Sequence, residues 1–367
     1  MSNVEVEYNK NIPQTVSLCV VAYNEEYFLP NLLKDLSNQT YPHELIELVL
    51  IDGCSTDGTK RMMTEFADRN SPGFCPIIVL DNEKRIQAAG WNVALMHATG
   101  DVIIRIDAHT SIPAEFTALN MKAIQDGEYV SGGIRPCLIE DETPWRKTLL
   151  KTENSLFGSS IAKSKSGQKK EYVKTLFHAA YRREVFADSG GFNENLLRTE
   201  DNEIHYRIRQ AGYKFCFDPN IKSYQYARSS LKKMIKQKYG NGYWVGLTVG
   251  ICPGCVSLYN FVPLVFVLGI VFTTALALMH IWQLAAIMWT LYLMFGLFSV
   301  AEANKKETFQ PLTLLMPGLF LILHVSYGIG TLIGLLLIPW KRKKLRDCPN
   351  IEIVKNHMKN RVRSTVQ

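Results

Sequence analysis

Two long stretches of this chain, residues 239–301 and 308–340, contain no Asp, Glu, Lys or Arg. Each exceeds the ~20 residues that cross a bilayer as a helix. A wholly water-soluble protein is thereby excluded, and the 367 residues divide into an enzyme-like part and a membrane part. The first ten residues carry Glu5, Glu7 and Lys10 and lack the basic start and apolar core of a secretory signal, so the large N-terminal part is expected in the cytosol. A disulfide framework is also missing: the eight cysteines are scattered, and Cys19 and Cys216 sit in apolar runs as reduced core residues do. Cys252-Pro253-Gly254-Cys255 has the spacing of a redox pair, but no thioredoxin-like strand and helix pattern surrounds it, so no redox role is assigned. No internal repeat is evident.

The formal charge of +7 is modest, and its placement says more than its size. Lys232, Lys233, Lys236 and Lys238 precede the first uncharged stretch, Lys305 and Lys306 separate the two, and Lys341, Arg342, Lys343, Lys344 and Arg346 follow the second. Basic clusters beside apolar spans mark cytoplasmic edges that face anionic lipid, so membrane lipids rather than nucleic acid are the expected partner.

Through the first 130 or so residues, strand-like runs alternate with helical patterns: 16–22 then 25–37, 45–51 then 59–70, 76–80 then 87–97, and 102–106 then 113–125. This predicts an α/β fold with a mainly parallel sheet, in which ligands bind outside the carboxyl ends of the strands. The polar residues cluster at those ends. The first strand runs into Tyr23-Asn24-Glu25-Glu26, the second into Asp52-Gly53-Cys54-Ser55-Thr56-Asp57-Gly58-Thr59, and the fourth into Asp107-Ala108-His109. A less regular half follows, with a strand at 129–133 and a Ser/Lys/Gly-rich loop at 159–170 that reads equally as a lid or as plain disorder. A helix is expected at 200–210, ending at Gly212, then a short strand near 221–226. Residues 229–239 are basic on one side, with Leu231, Met234 and Ile235 on the other, which predicts a helix lying on the membrane.

Three constellations carry chemistry. Asp52 ends an apolar strand and can accept from a nucleobase imide or a ribose hydroxyl; equally, Asp52, Ser55 and Asp57 can shape a turn and cap the next helix. Asp107 and His109 are separated by one small residue, so in an extended segment both point the same way and offer two ligands to a divalent metal beside a diphosphate. Thr199-Glu200-Asp201 reads as a helix start with Thr199 as N-cap and as a source of a general base, and the two readings are compatible. A metal steadying a diphosphate, with a separate carboxylate to deprotonate a hydroxyl, points to glycosyl transfer from a nucleotide sugar. Gly240-Asn241-Gly242-Tyr243-Trp244-Val245-Gly246 is rejected as a dinucleotide loop, because it lacks the strand before it and the acid after it.

In order and spacing, several segments resemble glycosyltransferase family 2, inverting enzymes of GT-A fold, and most closely its succinoglycan-biosynthesis glucosyltransferase branch. They are Val20-Val21-Ala22-Tyr23-Asn24-Glu25-Glu26, the Ile51 to Thr59 segment, Lys84-Arg85-Ile86-Gln87-Ala88-Ala89-Gly90-Trp91-Asn92, Ile106-Asp107-Ala108-His109, His178-Ala179-Ala180-Tyr181-Arg182-Arg183, and Gly190-Gly191-Phe192-Asn193-Glu194 followed by Thr199-Glu200-Asp201. The likeness covers roughly residues 15–247. It implies that Tyr23, Asn24, Glu25, Asp52, Ser55, Lys84, Arg85, Asn92 and Asp107 bind the nucleotide sugar, and that Asp107 and His109 hold Mn²⁺ or Mg²⁺. It also implies Asp201 as catalytic base with Glu200 beside it, and His178 and Trp244 on the acceptor side. The usual Asp-x-Asp motif is Asp107-Ala108-His109 here, and the Gln-x-x-Arg-Trp signature of processive synthases is not present.

The expected protein is a membrane-bound inverting hexosyltransferase that takes a UDP-sugar to a polyprenyl diphosphate-linked saccharide in bacterial exopolysaccharide or capsule assembly. A polyprenyl-phosphate hexose synthase is the alternative, and a scaffold without activity is disfavoured by the acids at every expected position. The expected division is a cytosolic GT-A domain at 1–228, an interfacial segment at 229–257, transmembrane or re-entrant helices at 258–340 and a basic cytosolic tail at 341–367. Residues 258–280 and 281–301 suit a helical hairpin in the cytoplasmic membrane. A simple third crossing at 312–338 would strand the Lys341 to Arg346 cluster outside, so a broken or re-entrant hairpin returning the chain to the cytosol is expected there, Pro317, Gly318, Gly328, Gly330 and Gly334 being its interruptions, with a tilted single span as the alternative.

Overall fold

The computed structural model describes residues 14–70, 73–139, 142–158, 169–226, 230–305 and 309–364. The polar start, Lys306 and most of the loop at 159–170 lie outside the described residues. The chain opens with β1 (Val16–Ala22), α1 (Leu29–Ser37), β2 (Ile46–Asp52), α2 (Thr59–Asn70), β3 (Ile77–Asp81), α3 (Gln87–His97), β4 (Val102–Asp107), β5 (Thr110–Ser111) and α4 (Phe116–Gln125). There follow β6 (Val130–Ile134), β7 (Cys137–Leu138), α5 (Pro144–Asn154), β8 (Glu171–Val173), β9 (Ala180–Arg182), α6 (Arg183–Ser189), α7 (Glu200–Gln210), β10 (Phe215–Lys222) and β11 (Tyr224–Tyr226). The remainder is helical: α8 (Leu231–Val249), α9 (Val262–Leu278), α10 (Gln283–Asn304), α11 (Met316–Leu336), α12 (Ile338–Arg346) and α13 (Asn350–Ser364).

One sheet runs β3-β2-β1-β4-β9-β6-β10-β8, and a small second sheet runs β5-β11-β7. The first four strands are parallel, whereas β9 lies antiparallel to both β4 and β6. Strands β1 and β2 read as near-continuous apolar runs because helices cover both faces. Val16, Leu18 and Val20 of β1 join a core with Leu32 and Leu36 of α1, while Cys19 faces a second core with Trp91 of α3 and Ile204 of α7. Register aligns the strand ends, with Ala22 opposite Asp52 and Val21 opposite Asp107.

Helix α1 begins at Leu29 rather than at residue 25. The chain first turns through Asn24 at φ 54°, and Pro30 then fixes the opening turn. Helix α8 runs ten residues beyond its expected end at 239, packed along α11 through glycines of both helices. A Cβ at Gly330 would strike the Tyr239 carbonyl, and one at Gly334 the Tyr243 carbonyl. Those glycines were expected to interrupt the 312–338 stretch. Instead α11 is a single helix, with Pro317 in its first turn, where no hydrogen bond is lost, and glycines where another backbone approaches. Cys252 and Cys255 are joined as a disulfide in the turn after α8, unlike the reduced state expected for the cysteines.

Among the described residues three segments are long and apolar enough to cross a membrane: Leu258–Leu278, Gln283–Asn304 and Pro311–Leu336. The first two are 11% and 22% buried, against 39% for the third, which α8 and α9 cover. After α11 the chain returns to the catalytic half. Ile351 packs on Gly190, and Val354 and Met358 enter the second core beside Trp91 and Phe192. Residues 350–364, read as part of a tail, thus form a helix that closes the catalytic core.

Met358 is fully buried, so Met358→Ala should destabilise the catalytic half by about 2–5 kcal/mol. Thermal melting of the detergent-purified protein reads this directly; an unshifted melting temperature would mean that α13 is only loosely attached.

Candidate active site

The loop after β1 and the loop after β2 clasp each other. Asn24 donates its backbone N–H to Ser55 Oγ at 2.9 Å and accepts on Oδ1 from the Thr56 N–H at 2.8 Å. Glu25 donates its N–H to Thr59 Oγ1 at 2.8 Å, and Glu26 accepts from the Gly58 N–H at 3.0 Å. The Asn24 side chain and Ser55 therefore build the loop. Asp52 lies fully buried at its base: Oδ2 accepts from the Ser55 N–H at 3.0 Å, while Oδ1 has no partner. Desolvating a carboxylate oxygen without a donor is costly, so this atom is suited to a ligand N–H or O–H. Tyr23 stands half exposed above Gly53, where a Cβ would crowd its side chain.

At the end of β4 the Asp107 carboxylate accepts from Gln87 Nε2 at 3.0 Å and His178 Nε2 at 3.2 Å, with Arg135 4.0 Å away. Burial alone would raise its pKa, but the His178 hydrogen bond and the nearby His178, His109 and Arg135 groups outweigh it and hold the carboxyl well below the usual range. His178 reaches this place because β9 runs antiparallel to β4, with Ala180 opposite Ile104. Its imidazole is buried, which lowers its pKa despite Asp107. A neutral ring donating Nε2–H to Asp107 and accepting at Nδ1 from Ser223 Oγ, 2.9 Å away, satisfies both groups. His178, expected on the acceptor side, thus stands at Asp107.

His109 does not run parallel to Asp107. The strand ends at Asp107, the chain turns through Ala108 and His109, and the imidazole lies between Glu25 Oε1 at 3.2 Å and Gln225 Nε2 at 3.0 Å. Among the described residues no three His, Cys, Asp or Glu side chains converge as a metal cage. The donor chemistry nevertheless fits a divalent ion: Asp107 is an ionised carboxylate at a strand end, and His109 is a partly exposed imidazole beside a second carboxylate, Glu25.

Two residues before Asp107, on the same face of β4, Arg105 holds the other acidic element. Its guanidinium lies between the rings of Trp91 and Phe192, 4.4 and 4.5 Å from their centroids, and its Nη2 is 2.9 Å from Asp201 Oδ1 in the first turn of α7. The adjacent Glu200 is buried, its Oε2 has no partner, and burial together with the Asp201 charge pushes its pKa up to about 8. The two acids thus differ: Asp201 is paired with a cation, whereas burial and the Asp201 charge favour the protonated form of Glu200. Thr199 makes no side-chain cap; its hydroxyl pairs with that of Thr248 on α8 at 2.6 Å.

The remaining candidates serve elsewhere. Asn92 is buried and fully used on the 192–194 segment, bonding the Phe192 N–H and carbonyl and Glu194 Oε1. Lys84 pairs with Glu194 at 2.5 Å, and Arg85 turns the chain at φ 56°. Trp244 packs on α8 with Leu196, Leu247 and Leu345. Arg105, Gln87, Arg135 and Gln225 were not among the candidates. The two-residue spacing of Arg105 from Asp107 was the one available signal for it, whereas nothing local marks Arg135 or Gln225.

Residues 17–190 match the family model described as Glycosyl transferase family 2. The chain is 28% identical over 324 residues to a Methanococcus voltae protein, dolichyl N-acetyl-alpha-D-glucosaminyl phosphate 3-beta-D-2,3-diacetamido-2,3-dideoxy-beta-D-glucuronosyltransferase, covering 85% of this chain and 95% of that one. It is 29% identical over 238 residues to succinoglycan biosynthesis protein ExoA of Rhizobium meliloti (strain 1021), covering 63% and 69%. Among solved structures, the mannosyltransferase PcManGT of Pyrobaculum calidifontis, in complex with GDP-Man and Mn²⁺, shares the fold at 19% identity and a TM-score of 0.50, over 92% of this chain and 89% of that one. With a mostly parallel GT-A-like sheet, three apolar helices and this match, residues 17–190 are a glycosyltransferase family 2 domain and the chain is a glycosyltransferase.

Proposed function

We propose that the protein is an inverting transferase that moves a hexose from a UDP-sugar to a hydroxyl of a polyprenyl-linked saccharide, in the assembly of a surface polysaccharide. The observation that carries this reading is the Arg105–Asp201 pair beside Asp107. Arg105 and Asp107 are two residues apart on one strand, about 7 Å at ~3.3 Å per residue, so a carboxylate fixed by a guanidinium stands near an anchor for a diphosphate. Arg105 engages Oδ1, which leaves Asp201 Oδ2 to take the proton of an acceptor hydroxyl as its oxygen attacks the anomeric carbon from the face opposite UDP. A phosphate acceptor would need no such base. The Methanococcus voltae relative, whose name describes transfer to a dolichyl-phosphate-linked sugar, supports the acceptor class.

Asp52 Oδ1 suits the imide N–H of uracil. Asp107, with His109 and Glu25 near it, would hold Mn²⁺ or Mg²⁺. Such an ion supplies charge neutralisation for a departing diphosphate. His178 and Gln87 orient Asp107 for that role. The enzyme sits in the cytoplasmic membrane, with α9 and α10 as a hairpin and the catalytic half in the cytosol. Lys232, Lys233 and Lys236 on α8 and the Lys341 to Arg346 cluster on α12 lie toward anionic lipid. The packing of α13 on the catalytic core supports a chain that returns to the cytosolic side after α11.

Asp201→Asn should reduce transfer more than a hundredfold and leave UDP binding intact, since general-base catalysis contributes about 10²–10⁴-fold. Transfer assays and calorimetry with UDP on the same protein decide; a residual rate near a tenth of wild type rules Asp201 out as the base. EDTA treatment should stop turnover, with Mn²⁺ restoring it better than Mg²⁺ because His109 is a borderline nitrogen ligand; full activity of the metal-free enzyme would remove the metal from this reading. Glu200 binds its proton more tightly folded than unfolded, so its contribution to stability is present below the ordinary carboxylate range and lost as pH rises through about 8. Glu200→Gln should therefore flatten the decline in melting temperature between about pH 4.5 and 8. An unchanged pH–stability curve would show that Glu200 is not held neutral.

A further inference from the structure

Between α8 and the 156–158 segment after α5 on the catalytic side and α9–α11 on the membrane side lies a cavity of about 260 Å³. Its walls are apolar, with Leu156, Val262, Pro263, Phe266 and Leu323 among them, and Lys238 lines it as well. The frame is held by hydrogen bonds at buried places: His324 bonds the Phe157 carbonyl at 2.8 Å through Nε2 and the Tyr292 hydroxyl at 3.2 Å through Nδ1. The rim is open, since Leu156 and Val262 are both 57% exposed, and Val262 continues into the outward apolar face of α9. A ligand dissolved in the bilayer can therefore enter sideways.

Lys238 is 7% exposed and pairs with Glu153 of α5 at 3.5 Å, so a charged pair sits beside the apolar cavity and its lysine is among the lining residues. The same helix carries Lys232, Lys233 and Lys236 on its opposite, exposed side. Three residues beyond Lys238, less than one turn, Asn241 accepts from Arg198 at 3.1 Å, and Arg198 leads directly into Thr199-Glu200-Asp201. Thr248 on α8 then holds Thr199. One helix thus presents an apolar, cation-bearing cavity on one flank and the start of the carboxylate-bearing helix on the other.

The geometry points to this cavity as the seat of the head-proximal isoprenoid units of the lipid-linked acceptor, with Lys238 at the phosphate that joins lipid to saccharide; this rests on the proposed transfer to a polyprenyl-linked saccharide. The volume lies just below the ~300–1,000 Å³ of whole small-molecule sites. It therefore takes the start of a long chain, whose remainder stays in the bilayer along α9. The phosphate at Lys238 directs the saccharide along α8 toward Asp201.

The test uses full-length protein in detergent with farnesyl phosphate as the lipid probe, read by native mass spectrometry, and UDP binding read by calorimetry. Leu156→Trp and Val262→Trp narrow the cavity from exposed rim positions, where the fold tolerates the change, and Lys238→Gln removes the cation. Farnesyl phosphate should bind the wild type and bind each variant at least about tenfold more weakly, with UDP binding unchanged. Equal farnesyl phosphate binding by the wild type and both tryptophan variants overturns the assignment. Phosphatidic acid binding as tightly as farnesyl phosphate overturns it too, because the cavity would then be a general lipid groove. The two readings fail separately. Transfer with an unchanged acceptor KM in the rim variants removes the cavity and leaves the acceptor class standing, whereas cavity-dependent farnesyl phosphate binding by an enzyme that glycosylates no lipid-linked sugar does the reverse.

Discussion

A guanidinium buried in a protein core needs a counter-charge and a polarisable lining to offset the cost of its desolvation. Arg105 is 8% exposed, and it receives both: Trp91 and Phe192 on its two faces and Asp201 at its end. This requirement ties four separate parts of the chain together. Trp91 comes from α3, Phe192 from the segment that Asn92 pins, Asp201 from the start of α7, and Arg105 itself from the central strand that also carries Asp107. The acids of the site keep their spacing because the cation between them cannot move without losing its lining.

The same economy explains why neighbouring carboxylates differ. Glu200 and Asp201 are adjacent in sequence and share a helix turn, yet Asp201 stands 2.9 Å from a guanidinium and Glu200 is in no ion pair of this kind among the described residues. Two ionised acids side by side in a buried place would repel, and proton uptake by Glu200 removes that repulsion. Asp107 lies at the other extreme, surrounded by donors and ionised far below the ordinary range.

Much of the fold was legible because its signals are local. Apolar runs of five to seven residues gave the strands from β1 to β4, and the polar residues at their ends gave the position of Asp52, Asp107 and His109. What was not legible depends on contacts distant in sequence. Nothing near Asn92 announces that its amide is spent on residues a hundred positions away, or that the Asn24 side chain closes a loop rather than facing a ligand. The glycines of α11 were misread for a related reason. In isolation they look like breaks in a helix, and only the carbonyls of α8 against them reveal a packing surface. Asp107 and His109 diverge because the strand ends between them, a boundary that composition does not mark.

Helix α13 has a consequence for how the protein is made. The ribosome delivers α9, α10 and α11, all long and apolar enough to cross a membrane, before residues 350–364, so these helices are made while the second core still lacks Val354 and Met358. Domains fold as units when all their parts are present. Closure of the catalytic half therefore waits for the apolar helices to be made, and a chain that stalls before residue 350 leaves the Trp91 and Phe192 side of its core uncovered.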